Sequence, residues 1–142
     1  MPKLANNEMG GFTDAVRLTV ADLKAIGTGG TKVIATIPAG GAVELVGSVA
    51  TSAIVGSTTL ALAVGIAGTA GAFIASATAA SATTPVYNTG SLFTSGYSAA
   101  VSRVAVATPI ILTVTDAALA SITAGEVVIG LRILDLARFK ND

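Results

Sequence analysis

The sequence predicts an all-β chain, an antiparallel β-sandwich or jelly-roll-like barrel of about eight strands. Three observations carry this. Large apolar residues alternate with small or polar ones at a period of two in several segments, the periodicity of a strand and not of a helix. Turn chemistry built from Gly, Pro, Asn and Ser recurs roughly every 8–15 residues. No segment holds a sustained helical period, and no longer repeat marks a solenoid or propeller.

Residues 1–13 read as a flexible arm, with the loop formers Asn6, Asn7, Gly10 and Gly11, and residues 14–142 as a single β-sandwich domain. The arm is polar and lacks the apolar stretch of a secretory signal. Val16, Leu18 and Val20 alternate with Arg17 and Thr19, a half-buried strand, and Ala21–Ile26 follows as a short helical turn. Gly27-Thr28-Gly29-Gly30 is a loop, read as a hairpin. Thr31–Ile37 is a β-branched strand ended by Pro38-Ala39-Gly40-Gly41.

Ala42–Val55 predicts one long strand or two short ones, and Gly56-Ser57 a turn. In Thr58–Ile66, Leu60, Leu62, Val64 and Ile66 alternate with Ala61, Ala63 and Gly65, so both faces are apolar and both should be covered. Gly65, Gly68 and Gly71 read as a bend or loop. Phe73–Ala79 reads as a short strand or a helical turn. Thr83–Ser98 is turn-rich and holds Tyr87, Phe93 and Tyr97. Ser102–Thr115 predicts two β segments split by Pro109, which suits an edge or a strand start. Asp116–Ala124 is a connection. Glu126–Phe139 is the clearest strand, with Val127, Ile129, Leu131 and Ile133 on one face and Val128, Gly130, Arg132 and Leu134 on the other.

Composition excludes several functions. The chain has 28 Ala and 16 Gly, no Cys, no His and no Trp, and only 11% charged residues with zero net charge. No clustered Lys and Arg are present to neutralise phosphates, so no nucleic-acid partner is expected. The missing His and Cys remove the usual general base, thiolate nucleophile and metal ligands. No catalytic residue, cofactor site or metal site is therefore assigned, and the chain is not expected to be an enzyme. The uncharged window Thr58–Ala82 is long enough to span a bilayer. Its small residues, its period of two and its lack of flanking Lys or Arg argue against a membrane helix.

Few constellations resemble a site. Gly27–Lys32, GTGGTK, departs from a phosphate loop because Thr31 separates Gly30 from Lys32 and no strong helix follows. Gly65-Ile66-Ala67-Gly68 lacks dinucleotide-loop spacing. Among Glu8, Asp14, Asp22, Glu44, Asp116, Glu126, Asp135 and Asp142, no feature selects a facing carboxylate pair. Arg132 and Asp135 predict a salt bridge to a neighbouring strand or subunit. Arg103 stands alone between Glu44 and Asp116, as an inter-subunit anchor or an ordinary strand-end residue. Tyr87, Phe93 and Tyr97 form either an aromatic strip or loop packing over the core. Zero net charge and apolar double-sided strands predict a symmetric homo-oligomer or lattice component.

A family resemblance rests on Val33–Gly40 (VIATIPAG), Val49–Ala53 (VATSA), Gly56–Gly65 (GSTTLALAVG), Ala72-Phe73-Ile74 and Glu126–Asp135 (EVVIGLRILD). Over roughly residues 30–136 the chain resembles the capsid decoration (cement) or head structural proteins of tailed bacteriophages. The resemblance implies a β-sandwich or barrel and no enzymatic activity. It implies a homo-oligomer, trimer before dimer, bound to the major capsid protein on the outside of a virion assembled in the host cytoplasm. The chain departs from the family in lacking Asp within Gly65–Phe73, so no ion contact is carried over there. Alternatives are another phage part (tail tube, head–tail connector or fibre base) or a cell-surface carbohydrate-binding β module. The low aromatic content disfavours the last.

Overall fold

A computed structural model describes residues 12–77, 85–94 and 104–135. Among the described residues eight strands form in chain order: β1 (Asp14–Thr19), β2 (Thr31–Ile37), β3 (Ala42–Val55), β4 (Ala61–Ile66), β5 (Thr69–Ala77), β6 (Val86–Tyr87), β7 (Thr108–Thr115) and β8 (Ala124–Leu134). Helix α1 (Val20–Ile26) follows β1, the short helix α2 (Ser91–Thr94) follows β6, and a 3-10 turn, Leu119–Ser121, precedes β8.

The strands make two antiparallel four-stranded sheets, the first in the order β1-β8-β3-β6 and the second in the order β2-β7-β4-β5. The order has one rule behind it. Strand one pairs with eight, two with seven, three with six and four with five. A long antiparallel ribbon rolled up on itself gives this pattern, once β8 also meets β3 and β7 meets β4. That is the topology of a jelly roll, the two-sheet Greek-key solution for eight strands. Because strand direction alternates, α1, the β3–β4 turn and the β7–β8 connection all gather at one end.

The inner faces are what the period of two demands. From the first sheet Val16, Leu18, Val46, Val127, Ile129 and Leu131 point inward and are buried. From the second, Ile34, Leu62, Val64, Ile110, Leu112 and Val114 meet them. Helix α1 closes one end with buried Leu23. Its start is fixed by a capping box. The Asp22 N–H donates to Thr19 Oγ1, and the Thr19 N–H donates to Asp22 Oδ2 at 2.9 Å.

Several sequence expectations need correction. The GTGG segment is not a hairpin: it carries the chain from α1 across to β2, with Gly27 and Gly29 at φ +78° and +74°. Of Gly65, Gly68 and Gly71, only Gly68 (φ +82°) makes the turn between β4 and β5; the other two lie inside strands. Gly65 is required because β5 passes so close that an added Cβ would overlap the Thr69 carbonyl oxygen. The segment from Phe73 is strand throughout its described part. The strand from Thr58 begins instead at Ala61, and its expected double burial holds at Leu62, Ala63 and Val64.

Pro109 does not split two strands. It is the second residue of β7, opposite Thr36 of β2, and β4 pairs with β7 only from Ile111 onward, so no ladder bond to β4 is lost. Val104–Ala107, expected as strand, is connection; Val104 exchanges backbone hydrogen bonds with the Gly40–Gly41 turn. The described part of the Thr58–Ala82 window is strand and turn, and no described helix is long and apolar enough to cross a membrane.

Candidate interaction surface

The outer face of the first sheet carries two ion pairs and two aromatic rings. Ala15 of β1, Gly130 of β8, Gly47 of β3 and Tyr87 of β6 stand in register across it. The two glycines are direct neighbours, so the middle of the face is a trench. Two aromatic rings lie over it. A Cβ on Gly130 would stand 2.6 Å from the Phe12 ring, and one on Gly47 would stand 2.6 Å from the Tyr87 ring. Val49, Val128 and Pro85 wall the small apolar cavity between the rings. Tyr87 remains about half exposed.

Two ion pairs flank this trench. Arg17 Nε lies 3.3 Å from Glu126 Oε1, which also accepts a hydrogen bond from Thr51 Oγ1 at 2.8 Å. Arg132 Nε lies 3.8 Å from Glu44 Oε2, joining β8 to β3 as expected of a neighbouring-strand bridge. Such half-exposed pairs contribute about 0–1 kcal/mol each, so they shape the surface more than they hold it together.

The gathered end of the sandwich is built around Asp116. This residue is 2% exposed. Its Oδ1 accepts from Thr59 Oγ1 at 2.6 Å and from the Ala118 N–H at 2.9 Å, while its own N–H donates to Thr28 Oγ1 at 3.0 Å. One residue thus ties the α1–β2, β3–β4 and β7–β8 connections. Burial pushes the Asp116 carboxyl up. The hydroxyls of Ser57 and Thr59 and the Ala118 N–H outweigh that and leave it below the ordinary 3.8. Asp22 is also held below 3.8, first by the Thr19 N–H.

The expected site residues are thereby placed. Asp22 serves the helix cap, Asp116 the loop junction, and Glu44 and Glu126 their arginines. Asp14 opens β1, and Asp135 follows β8. Among the described residues no group of three or more Asp or Glu side chains could hold a metal ion. In the GTGGTK segment the Gly27, Gly29 and Gly30 N–H groups donate to the carbonyls of Leu23, Val114 and Gly27, leaving no nest of free amides for a phosphate. Tyr87 and Phe93 do not share a strip. Phe93 of α2 meets the buried Phe73 ring at 6.1 Å, whereas Tyr87 lies outside on the first sheet. Glu8, Tyr97, Arg103 and Asp142 lie outside the described residues. Sequence reasoning missed the Phe12 seat. Its signal was a glycine inside each of two β-branched strands, Leu45–Val49 and Val128–Ile133.

No family model and no curated protein matches the chain. A solved structure does.

A chain of the capsid of Ralstonia phage GP4 shares this fold. It superposes with a TM-score of 0.55 at 15% sequence identity, over 94% of this chain and 90% of its own length. The likeness therefore runs nearly end to end on both sides. At that identity it is a likeness of fold.

Proposed function

We propose that the chain is a structural protein of a tailed-phage virion, which binds the outer surface of the capsid as an oligomer and stabilises the shell by bridging capsid subunits. The observation that carries this reading is the end-to-end fold match to a chain of a phage capsid. The composition supports it. A chain with zero net charge and few charged residues is suited to association. In this reading the protein carries no reaction of its own, and a trimer is the favoured assembly over a dimer.

The mechanism is mechanical linkage. A rigid jelly roll that contacts several shell subunits at once must be released before they separate. Bound ligand stabilises the state it binds by RT ln(1 + [L]/Kd), about 2.7 kcal/mol at a hundredfold excess over Kd.

Quantitative mass spectrometry of purified particles tests the reading. Copies in fixed stoichiometry with the shell subunit support decoration of the shell. A copy number of one ring per particle overturns it in favour of a connector or tail part, and absence from particles overturns it altogether. The mass of the purified protein by light scattering tests the oligomer; a monomer at all concentrations refutes it.

A further inference from the structure

We propose that Gly130 forms a dedicated aromatic socket that anchors Phe12, and Thr13 with it, to the outer face of the first sheet.

The strands themselves carry an oddity. β3 and β8 are the two central strands of the first sheet and share the longest ladder of the fold. Each carries a glycine within its span, and the two glycines face each other across the ladder. Glycine inside a strand weakens it by about 0.5–1 kcal/mol relative to alanine. A pair of them at the centre of a sheet therefore points to a close approach by another group. Neither glycine needs its conformational freedom, because neither has a positive φ. What both supply is the absent Cβ.

At Gly47 the group that approaches is the Tyr87 ring, and at Gly130 it is Phe12. Its ring rests where a Gly130 Cβ would be, with the nearest ring carbons at 2.6–2.7 Å from that position. The adjoining residue is fastened as well. The Thr13 N–H donates to the Leu131 carbonyl at 2.9 Å, and Thr13 Oγ1 accepts from the Ile133 N–H at 2.8 Å. Phe12 and Thr13 thus form a two-point anchor, one apolar and one hydrogen-bonded. The Phe12 ring is thereby held over the middle of this sheet face, at Gly130 between the two ion pairs.

The socket is independent of the capsid reading, and it is tested on the full-length protein alone. The chain has no tryptophan and two tyrosines, so Phe12→Trp introduces a single indole at the socket, which is excited selectively at wavelengths beyond tyrosine absorption. The expected result is blue-shifted emission with acrylamide quenching several-fold weaker than in the urea-unfolded chain. Adding Gly130→Ala should expel the ring, shifting emission to the red and raising quenching several-fold, with an unchanged far-UV circular dichroism spectrum. Gly47→Ala displaces Tyr87 first and should leave the emission of the introduced indole nearly unchanged. If Gly130→Ala fails to fold, Val128→Ser, which alters only a wall of the same cavity, must produce the same direction of change. A solvent-exposed indole in the single variant, or emission indifferent to both Gly130→Ala and Val128→Ser, would overturn the proposal.

Discussion

The inner faces of the two sheets are the same in kind. Leu18, Ile129 and Leu131 on the first and Val64, Ile110 and Leu112 on the second are all fully buried. Their outer faces differ. The strands of the first sheet carry Asp14, Arg17, Glu44, Glu126 and Arg132, and its outer face holds two aromatic rings. The strands of the second carry one charge, Lys32, among Thr, Ala and Gly. Inward positions are set by the need to fill a common core, which either sheet meets with the same residue types. Outward positions are free of that need, so a difference between them records what each face meets.

The largest effects should be alike for the two sheets. Leu131→Ala and Leu112→Ala each delete a fully buried side chain and should each lower stability by about 2–5 kcal/mol in urea unfolding. A loss confined to one of them would show that the sheets do not share a single core.

Glycine substitutions should separate the sheets. In Gly65→Ala the new Cβ meets backbone of β5, which cannot step aside, and the cost should be about 3 kcal/mol or more. In Gly130→Ala it meets the Phe12 side chain, which can swing away, and the cost should be nearer to about 1 kcal/mol. Equal midpoint shifts in thermal unfolding would count against the distinction between a backbone approach and a socket.

Asp116 lies where connections from both sheets meet, and Asp116→Ala should cost about 1–3 kcal/mol by stripping partners from Thr59 and the Ala118 N–H. Its pH signature has a definite sign. The folded-state carboxyls of Asp116 and Asp22 lie below the ordinary value of 3.8. Their contribution is complete above that value and is lost as pH falls through the lower, folded-state value. Stability should therefore drop on acidification below about pH 4, and Asp116→Ala should flatten that drop. An unaltered acid limb in the variant would refute the assignment.

The smallest effects belong to the ion pairs. Arg17→Ala and Arg132→Ala should each cost about 0–1 kcal/mol and lose even that in high salt. Lys32→Ala on the second sheet should be silent by the same measurement.

Much of the fold was legible along the chain because its signals are local. β2 and β3 fall where they were expected, since Gly30 and the Pro38–Gly41 turn bracket them with unmistakable breakers. The helical turn after β1 was legible too, and Thr19 with Asp22 closes it as a capping box. The errors share a cause. Gly65 and Gly71 were read as loop formers because glycine usually is one, yet at Gly65 the reason is the neighbouring strand's backbone. Pro109 was read as a break, yet β4 does not reach far enough along β7 to require its missing N–H. The surface was the least legible part. Phe12 was assigned with the arm, and nothing in MPKLANNEMGGFT indicates that a distant glycine, Gly130, would make room for its ring.

Alternation, turn residues and caps act over a few bonds, so the linear order of amino acids was enough to establish an all-β chain and to put Val127, Ile129 and Leu131 on one face. The strand count agreed only because the false split at Pro109 offset the missed β6. Pairing acts across the whole chain. That β1 lies beside β8, that Gly47 faces Gly130, and that Asp116 joins three connections all depend on which distant segments the shared core brings together, and packing alone settles that.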